Sequence, residues 1–266
     1  MHQAGDEAKG ATIYVTLEPC AHRSTRGPAC ADLLVEAGVG KVVIGQSDPD
    51  PRTDGGGIER LRAAGIEVIP ADHANSAEAL AGYLTRQREG RPFTTLKLAM
   101  SLDGRIAMHD GASRWITGPQ ARAHVHARRA EQDAIIVGGG TWRADRPSLD
   151  VRLPGLEERS PQRAILTTGS LEDTIALPSP HAIGQTDWQY AYVEGGAGAA
   201  AAFLEADLVD RLDIYRAPIV IGDGLPAIGD IGLSALDEAH GRWTLIERRH
   251  LGSDQYEAYR RIRPAS

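Results

Sequence analysis

Short apolar strands alternate with helical segments along this chain, and this alternation limits the fold more than any other feature. In the first part, the strand patterns TIYVTL (12–17) and KVVIG (41–45) flank a helical pattern, CADLLVEAG (30–38). A helix at 57–65 and a strand at 66–70 continue the same order. Strands that alternate with helices form largely parallel sheets with covered faces. The sequence therefore predicts an α/β fold.

The alternation resumes beyond a polar helix at 73–89 and the segment GRPF (90–93), where glycine and proline favour a break. We therefore predict two domains, residues 1–90 and 91–266. In the second domain, a turn at GGTW follows the second predicted strand. The predicted strands are 94–101, 133–138, 163–168, 189–194, 212–222, 242–249 and 255–262, and the predicted helices are 118–131 and 197–209.

Composition excludes several classes of partner. An apolar content of 42% in 266 residues is enough to bury a substantial core. The 29 basic and 36 acidic residues give a net charge of -7, without the basic block that binds nucleic acid. No run of eighteen apolar residues occurs, and the first twelve residues lack the pattern of a secretion signal. We expect a cytoplasmic protein that acts on a small molecule and binds neither nucleic acid nor a membrane.

The only two cysteines, Cys20 and Cys30, lie at the ends of the basic loop in TLEPCAHRSTRGPAC. They could form a disulfide, supply half of a metal site, or be two unrelated small residues. A reducing cytoplasm disfavours the disulfide, whereas paired cysteines near a helix start suit a metal. Backbone N–H groups at such a start also favour the thiolate. A metal site is the leading interpretation, and chance burial remains the alternative.

Longer motifs around these cysteines carry a resemblance. AKGATIYVTLEPCAH, PACADLLVEAGVGKVVIG and DPDPRTDGGGIERLRAAGIEV closely resemble the deaminase half of the RibD family, the bifunctional riboflavin-biosynthesis proteins. The resemblance implies a cytidine-deaminase-like α/β/α domain with Cys20 and Cys30 as zinc ligands. The family's H-A-E motif, which holds the third ligand and the catalytic glutamate, would precede residue 1, and neither His2 nor Glu7 is placed to replace it.

We therefore expect a partial deaminase domain that does not deaminate, because the general acid/base is missing. The alternative is a complete bifunctional enzyme whose start codon is misplaced.

The second part resembles the reductase half of the same family, a relative of dihydrofolate reductase. The motifs are LKLAMSLDGRIA, SRWITGPQARAHVHARRAEQDAIIVGGGTWRADRPSLDVR and YVEGGAGAAAAFLEADLVDRLDIYRAPIVIGDG. The resemblance implies NADPH-dependent reduction of 5-amino-6-(5-phosphoribosylamino)uracil at C1′ of the opened sugar, in a dimer or tetramer. Because the cofactor transfers the hydride, no dedicated catalytic residue is expected. An inactive metal-binding or scaffold homologue is the alternative.

The turn VEGGAGAAA (193–201) is the candidate cofactor site. Its glycines lie between a strand and a helix N-terminus, where free N–H groups and the helix dipole favour a phosphate. A tight strand-to-helix turn without a ligand is the alternative interpretation. With the family resemblance included, the expected cofactor-binding residues are Ala99, Trp115, Thr141, Asp145, Thr168, Gly195, Gly196 and Gly198.

By the same resemblance, the substrate is bound by Ser113, Arg129, Leu149, Arg152 and Glu194. Arg129 and Arg152 suit a phosphate, because a guanidinium forms paired hydrogen bonds with phosphate oxygens. The alternative is that both are solvated surface arginines. Between Thr168 and Glu194 the chain is several tens of residues shorter than is usual in the family, so we expect the sheet to be one strand narrower.

Overall fold

The computed structural model describes residues 3–25, 27–169, 171 and 174–263. The chain divides into two compact units, Met1–Gly90 and Arg91–Ser266. Both are built from strands and helices, so the predicted α/β class is confirmed. None of the helices described is long and apolar enough to cross a bilayer.

The first unit contains a three-stranded parallel sheet in the order β1-β2-β3. The single helix predicted at 73–89 is two helices, because Leu80 between them leaves the helical conformation. The strands are β1 (Thr12–Val15), β2 (Lys41–Ile44) and β3 (Glu67–Pro70), and the helices are α1 (Cys30–Glu36), α2 (Gly56–Ala63), α3 (Ala74–Ala79) and α4 (Ala81–Glu89), with a 3-10 turn at Gly5–Ala8.

One face of this sheet forms the core of the unit. Val42 and Ile44 of β2 pack with Leu34 of α1 and Leu61 of α2. Because side chains alternate along a strand, the intervening residues point to the opposite face. There Tyr14 pairs in register with Val43, and its side chain is 76% exposed.

The second unit contains an eight-stranded sheet in the order β12-β13-β10-β4-β9-β6-β7-β8. It is parallel from β10 to β8 and antiparallel at β13 and β12, while β5 and β11 pair separately. The strands are β4 (Phe93–Met100), β5 (Arg105–Met108), β6 (Ala134–Gly138), β7 (Gln162–Leu166), β8 (Ile175–Leu177), β9 (Tyr190–Val193), β10 (Arg211–Arg216), β11 (Gly224–Pro226), β12 (Trp243–Leu251) and β13 (Asp254–Arg261). The helices are α5 (Pro119–Arg129), α6 (Gly139–Asp145) and α7 (Ala197–Glu205), with 3-10 turns at Glu157–Arg159, Pro180–Gln185 and Leu236–Ala239.

Helices cover both faces of this sheet. On one face, Phe203 of α7 packs against Leu96 and Val193. On the other face, Val125 of α5 packs against a tyrosine cluster that includes Tyr192. Open parallel sheets of this kind bind ligands at the carboxyl ends of their strands, which directs attention to the residues that follow β4, β6, β7 and β9.

Two predicted features of the second unit are wrong. The segment GGTW is the beginning of α6 rather than a turn. The strand predicted at 212–222 ends at Arg216, two residues before Pro218, which has no N–H for a ladder hydrogen bond. The shortened region contributes β8 and the 3-10 turn Pro180–Gln185, and the expectation of a sheet narrower than is usual in the family stays a prediction.

Candidate active site

Three charged side chains meet on the α5 face of the central strands. Nε and Nη2 of Arg129 donate to Oε1 and Oε2 of Glu194 at 2.6 and 2.9 Å, and Nζ of Lys97 donates to Oε2 at 3.3 Å. Lys97 lies on β4, Glu194 directly follows β9, and Arg129 is the last residue of α5. We call these three residues the Glu194 cluster.

The Glu194 carboxylate is buried, and its side chain is 6% exposed. Burial raises the pKa of Glu194, but the charges of Lys97 and Arg129 and their hydrogen bonds outweigh this effect and lower it to about 2. Glu194 is therefore ionised at every physiological pH. It holds the two cations in place and does not serve as a proton donor.

Arg129 is committed to partners inside the protein. Besides the two bonds to Glu194, its Nη1 donates to the backbone oxygen of Asp150 at 2.9 Å. The interpretation of Arg129 as a solvated surface arginine is therefore wrong, since the residue is buried. These bonds also leave few of its N–H groups for the phosphate contact expected from the resemblance.

The loop that follows α6 carries the next two predicted substrate residues. Leu149 is buried and has a φ of 54°, in the left-handed region that leucine rarely adopts. Arg152 is joined to α5, because its backbone N–H donates to Nδ1 of His126 at 3.2 Å. Its guanidinium pairs with Asp150 at 3.1 Å, and the side chain remains 60% exposed. This arginine is the more accessible of the two.

The predicted glycine turn lies where β6 and β9 end. A β-carbon on Gly195 would lie 2.4 Å from Cβ of Ala199 and 3.2 Å from the backbone nitrogen of Gly138. The N–H of Gly196 donates to Oγ1 of Thr141 at 3.2 Å, so these two predicted cofactor residues are in contact. The close approach explains why glycine is required at position 195.

Helix α7 begins at this turn without a side-chain cap. Gly196 occupies the N-cap position, and no hydrogen bond from the N–H groups of Ala197, Gly198 or Ala199 to another described residue is found. Apart from the helix's own backbone, no atom of the described residues lies within 4 Å of where a β-carbon on Gly198 would be, so the space beside the first turn is open to that extent. Unfilled N–H groups and open space at a helix N-terminus fit a phosphate, and therefore the pyrophosphate of a dinucleotide.

The remaining predicted residues have fewer described contacts. Trp115 is 65% exposed and stacks on Arg122, whose guanidinium carbon is 4.6 Å from the ring centre. Ala99 lies on β4 in register with Tyr215. Thr168, Asp145 and Ser113 are exposed, the first of them just beyond β7. No hydrogen bond or ion pair among the described residues joins Ser113 to the Glu194 cluster.

Lys97 was not predicted from the sequence as a site residue. The signal was present, because Lys97 is a single charge in the otherwise apolar strand LKLAM. Parallel pairing of Leu96 with Val193 places the two following residues side by side, which no local pattern reveals.

In the first unit, the two predicted metal ligands face each other. The backbone N–H of Cys30 lies 3.2 Å from Sγ of Cys20, and both thiols are free. The hydrogen bond with Cys20 and then burial raise the pKa of the Cys30 thiol, although its place at the start of α1 was expected to favour the thiolate.

A buried carboxylate that the sequence did not single out fixes this loop. Oε1 of Glu18 accepts the N–H groups of Gly57 and Ile58 at 3.0 and 3.1 Å, and Oε2 accepts that of Gly55 at 3.2 Å. Glu18 therefore caps the N-terminus of α2 from a position two residues before Cys20.

The described residues do not complete a zinc site. Structural and catalytic zinc sites use three or four protein ligands, and no group of three or more histidine, cysteine, aspartate or glutamate side chains in the described part of the chain is placed to hold a metal. Glu7 is exposed, and His2 lies outside the described residues. The set present, two thiols, does not fit a complete site.

Two family models match separate parts of the chain. Residues 92–177 and 181–255 match the family model described as the RibD C-terminal domain, and residues 1–46 match the cytidine and deoxycytidylate deaminase zinc-binding region. The riboflavin biosynthesis protein RibD of Haemophilus influenzae is 37% identical, with 95% of this chain and 81% of the relative covered. The corresponding Escherichia coli protein is 36% identical, with 96% and 83% covered.

Solved structures give the same result. Acinetobacter baumannii RibD has a TM-score of 0.85 and 34% identity, covering 98% of this chain and 84% of that chain. A diaminohydroxyphosphoribosylaminopyrimidine deaminase/5-amino-6-(5-phosphoribosylamino)uracil reductase from Thermotoga maritima has a TM-score of 0.81 and 30% identity, covering 98% and 82%.

Fold and site together define a class of protein, an enzyme in which a reductase domain follows a region of the zinc deaminase type. Within this class, the chain belongs to the RibD family of riboflavin biosynthesis proteins. The resemblance identified from the sequence motifs is thereby confirmed.

Proposed function

We propose that the second unit is an NADPH-dependent reductase that converts 5-amino-6-(5-phosphoribosylamino)uracil to its ribitylamino form. One observation carries the proposal: the Glu194 cluster directly precedes the uncapped glycine turn at which α7 begins. A cluster with two cations beside a helix N-terminus suits a sugar phosphate held next to a dinucleotide.

The glycine turn is the part that would hold the cofactor. The free N–H groups at the start of α7 would bind the pyrophosphate, with Thr141 alongside Gly196. The space beside Gly198 leaves room for the cofactor to approach the backbone. When bound, NADPH supplies the hydride.

Charge selects the substrate. The Glu194 cluster carries one net positive charge, from two cations and one carboxylate. Arg152, two residues after Asp150 in the same loop, adds a second positive charge that is accessible, although its guanidinium already forms an ion pair with Asp150. The exposed guanidinium of Arg152 is therefore the better phosphate partner, and Arg129 acts mainly by positioning Glu194 and the Asp150 loop.

Lys97 is the member of the cluster best suited to handle a proton. Its side chain is 17% exposed, compared with 6% for Glu194, and only one hydrogen bond from its ammonium, the bond to Glu194, is described. When the sugar opens, its C1′–O bond breaks, the ring oxygen becomes a hydroxyl and C1′ becomes an imine carbon. After hydride addition to C1′, the imine nitrogen takes up one proton. We propose that Nζ of Lys97, which Glu194 keeps oriented, donates this proton to the imine nitrogen.

A direct assay tests the reductase. The purified chain should oxidise NADPH, followed by its absorbance at 340 nm, only when 5-amino-6-(5-phosphoribosylamino)uracil is present. If the chain neither binds nor oxidises NADPH, the alternative of an inactive scaffold homologue is correct and the proposal fails.

For the first unit we propose that Cys20 and Cys30 can bind zinc without supporting deamination. The match to a zinc-binding region supports the metal, and the lack of a third ligand among the described residues argues against catalysis. Zinc content should fall in Cys20→Ser, with Asp223→Asn in the second unit as the control. Zinc-dependent release of ammonia from the diaminopyrimidine substrate would overturn the second half of this proposal and support the complete bifunctional enzyme.

We further propose that the protein is a cytoplasmic homo-oligomer, either a dimer or a tetramer. The free thiols are consistent with a reducing compartment. The nine-residue edge strand β12 exposes Leu245 and Ile246, and such an edge favours association with another chain. Light scattering at micromolar concentration that gives a monomer mass would contradict the oligomer.

A further inference from the structure

We propose that Arg143 recognises the 2′-phosphate of NADPH and gives this site its preference for NADPH over NADH. The inference rests on the proposed reductase function and adds a specificity-determining residue to it.

The position of Arg143 is set by the glycine before it on α6. Its Nη1 lies 3.2 Å from the point that a β-carbon on Gly139 would occupy. The same point is 3.4 Å from the backbone oxygen of Leu166 and 3.4 Å from Cβ of Thr167. The guanidinium therefore lies over the backbone of Gly139, between the carboxyl ends of β6 and β7. A side chain larger than glycine at position 139 would displace it.

Arg143 has no partner within the described part of the protein. No hydrogen bond or ion pair joins it to another described residue, and the residue is exposed. Arg129 and Arg152, in contrast, each have a described partner. In a chain with a net charge of -7, an unpaired cation at the ligand-binding ends of the strands is available to an anionic ligand.

The spacing of the strands indicates which phosphate group of NADPH Arg143 would contact. The proposed pyrophosphate position is the turn after β9, and β6 lies between β9 and β7 in the sheet. Neighbouring strands are about 4.8 Å apart, so Arg143 lies roughly 5–10 Å from that turn. This is the distance over which a dinucleotide extends from its pyrophosphate to the 2′-position of its adenosine ribose. NADH has only a hydroxyl at this position, whereas NADPH has a dianion that suits the planar guanidinium.

Binding measurements on the full chain test the inference. Dissociation constants for NADPH and for NADH are measured by calorimetry, without the second substrate, for the wild type, Arg143→Gln and Arg143→Lys. Arg159→Gln is the matched control, because it removes the same charge from an exposed position in the same unit. We expect Arg143→Gln to bind NADPH at least about tenfold more weakly and NADH within twofold of the wild type. The NADPH affinity of Arg143→Lys should lie between those of the wild type and Arg143→Gln, since lysine keeps the positive charge but cannot form the paired hydrogen bonds of a guanidinium.

The outcomes separate the inference from the proposed function. Equal weakening of NADPH and NADH would assign Arg143 to the pyrophosphate, and unchanged binding would remove it from the site, so either result overturns the inference while the reductase stands. A wild-type chain that binds neither nucleotide overturns both. Matching thermal melts of Arg143→Gln and Arg159→Gln would show that any binding difference does not come from misfolding.

Discussion

Arg129 and Glu194 form a two-bond ion pair in which the guanidinium edge faces the carboxylate, with N–O distances of 2.6 and 2.9 Å. The pair joins the end of α5 to the end of β9, 65 residues further along the chain. Because both partners are buried, each would be left as an isolated charge if the other were removed.

Replacement of Glu194 by glutamine should therefore impair both stability and catalysis. Lys97 and Arg129 lose their counter-charge, which should lower the free energy of unfolding by about 3 kcal/mol and the reductase kcat at least about tenfold. Urea unfolding and NADPH oxidation measure the two effects. Glu158→Gln is the control, because Glu158 is exposed and no hydrogen bond or ion pair of its side chain with another described residue is found. Equal free energies of unfolding and equal kcat values in the two variants would contradict the role of the Glu194 cluster in stability and catalysis.

The same pair predicts a pH dependence of stability. The pKa of Glu194 falls from 4.5 to about 2 in the folded protein, so the unfolded chain binds the proton more readily. Its contribution is complete above pH 4.5 and is lost as pH falls from 4.5 toward 2, by about 3 kcal/mol in total. Urea unfolding of the wild type and Glu194→Gln across this range should show the stability difference shrink as pH falls. A constant difference would mean that Glu194 is not ionised as described.

Substitutions at two glycines should separate the effect of packing on stability from the effect of the turn on NADPH affinity. In Gly195→Ala the new carbon would meet Cβ of Ala199 at 2.4 Å, so we expect a loss of about 1–3 kcal/mol of stability together with weaker NADPH binding. In Gly198→Ala the new carbon meets no atom of the described residues within 4 Å apart from the helix's own backbone, and alanine favours the helix. This variant should melt at or above the wild-type temperature and still bind NADPH more weakly. Unchanged NADPH affinity in Gly198→Ala would place the cofactor elsewhere.

Glu18 should stabilise the first unit and have no effect on the stability of the second. Glu18→Gln loses the charge that accepts the N–H groups of Gly57 and Ile58, and we expect at least about 2 kcal/mol less stability in residues 1–90. Hydrogen exchange at the amides of α2 reports this locally. Glu59→Gln, an exposed acid in the first turn of the same helix, is the control. Exchange at α5 should not change in either variant, and a change there would show that the effect is not local.

Periodicity was enough to predict the two α/β units, because strand and helix patterns are local. The start of α6 was missed because three consecutive glycines, Gly138–Gly140, favour a turn by local preference. Packing of Trp142 against the buried cluster that includes Leu149 supports the helix instead. The pairing of Lys97 with Glu194 could not be predicted, since parallel register joins residues 97 positions apart. The ion pair between Arg129 and Glu194 was not predicted, for the same reason.

This separation along the chain affects how the protein is made. During synthesis Lys97 and Arg129 leave the ribosome well before Glu194, so two cations destined for the interior must remain hydrated until β9 inserts between β4 and β6. Because domains form as units and non-local pairs form late, the site appears only when the middle of the sheet closes. A nascent chain arrested before residue 194 should therefore have helical content but no reductase activity.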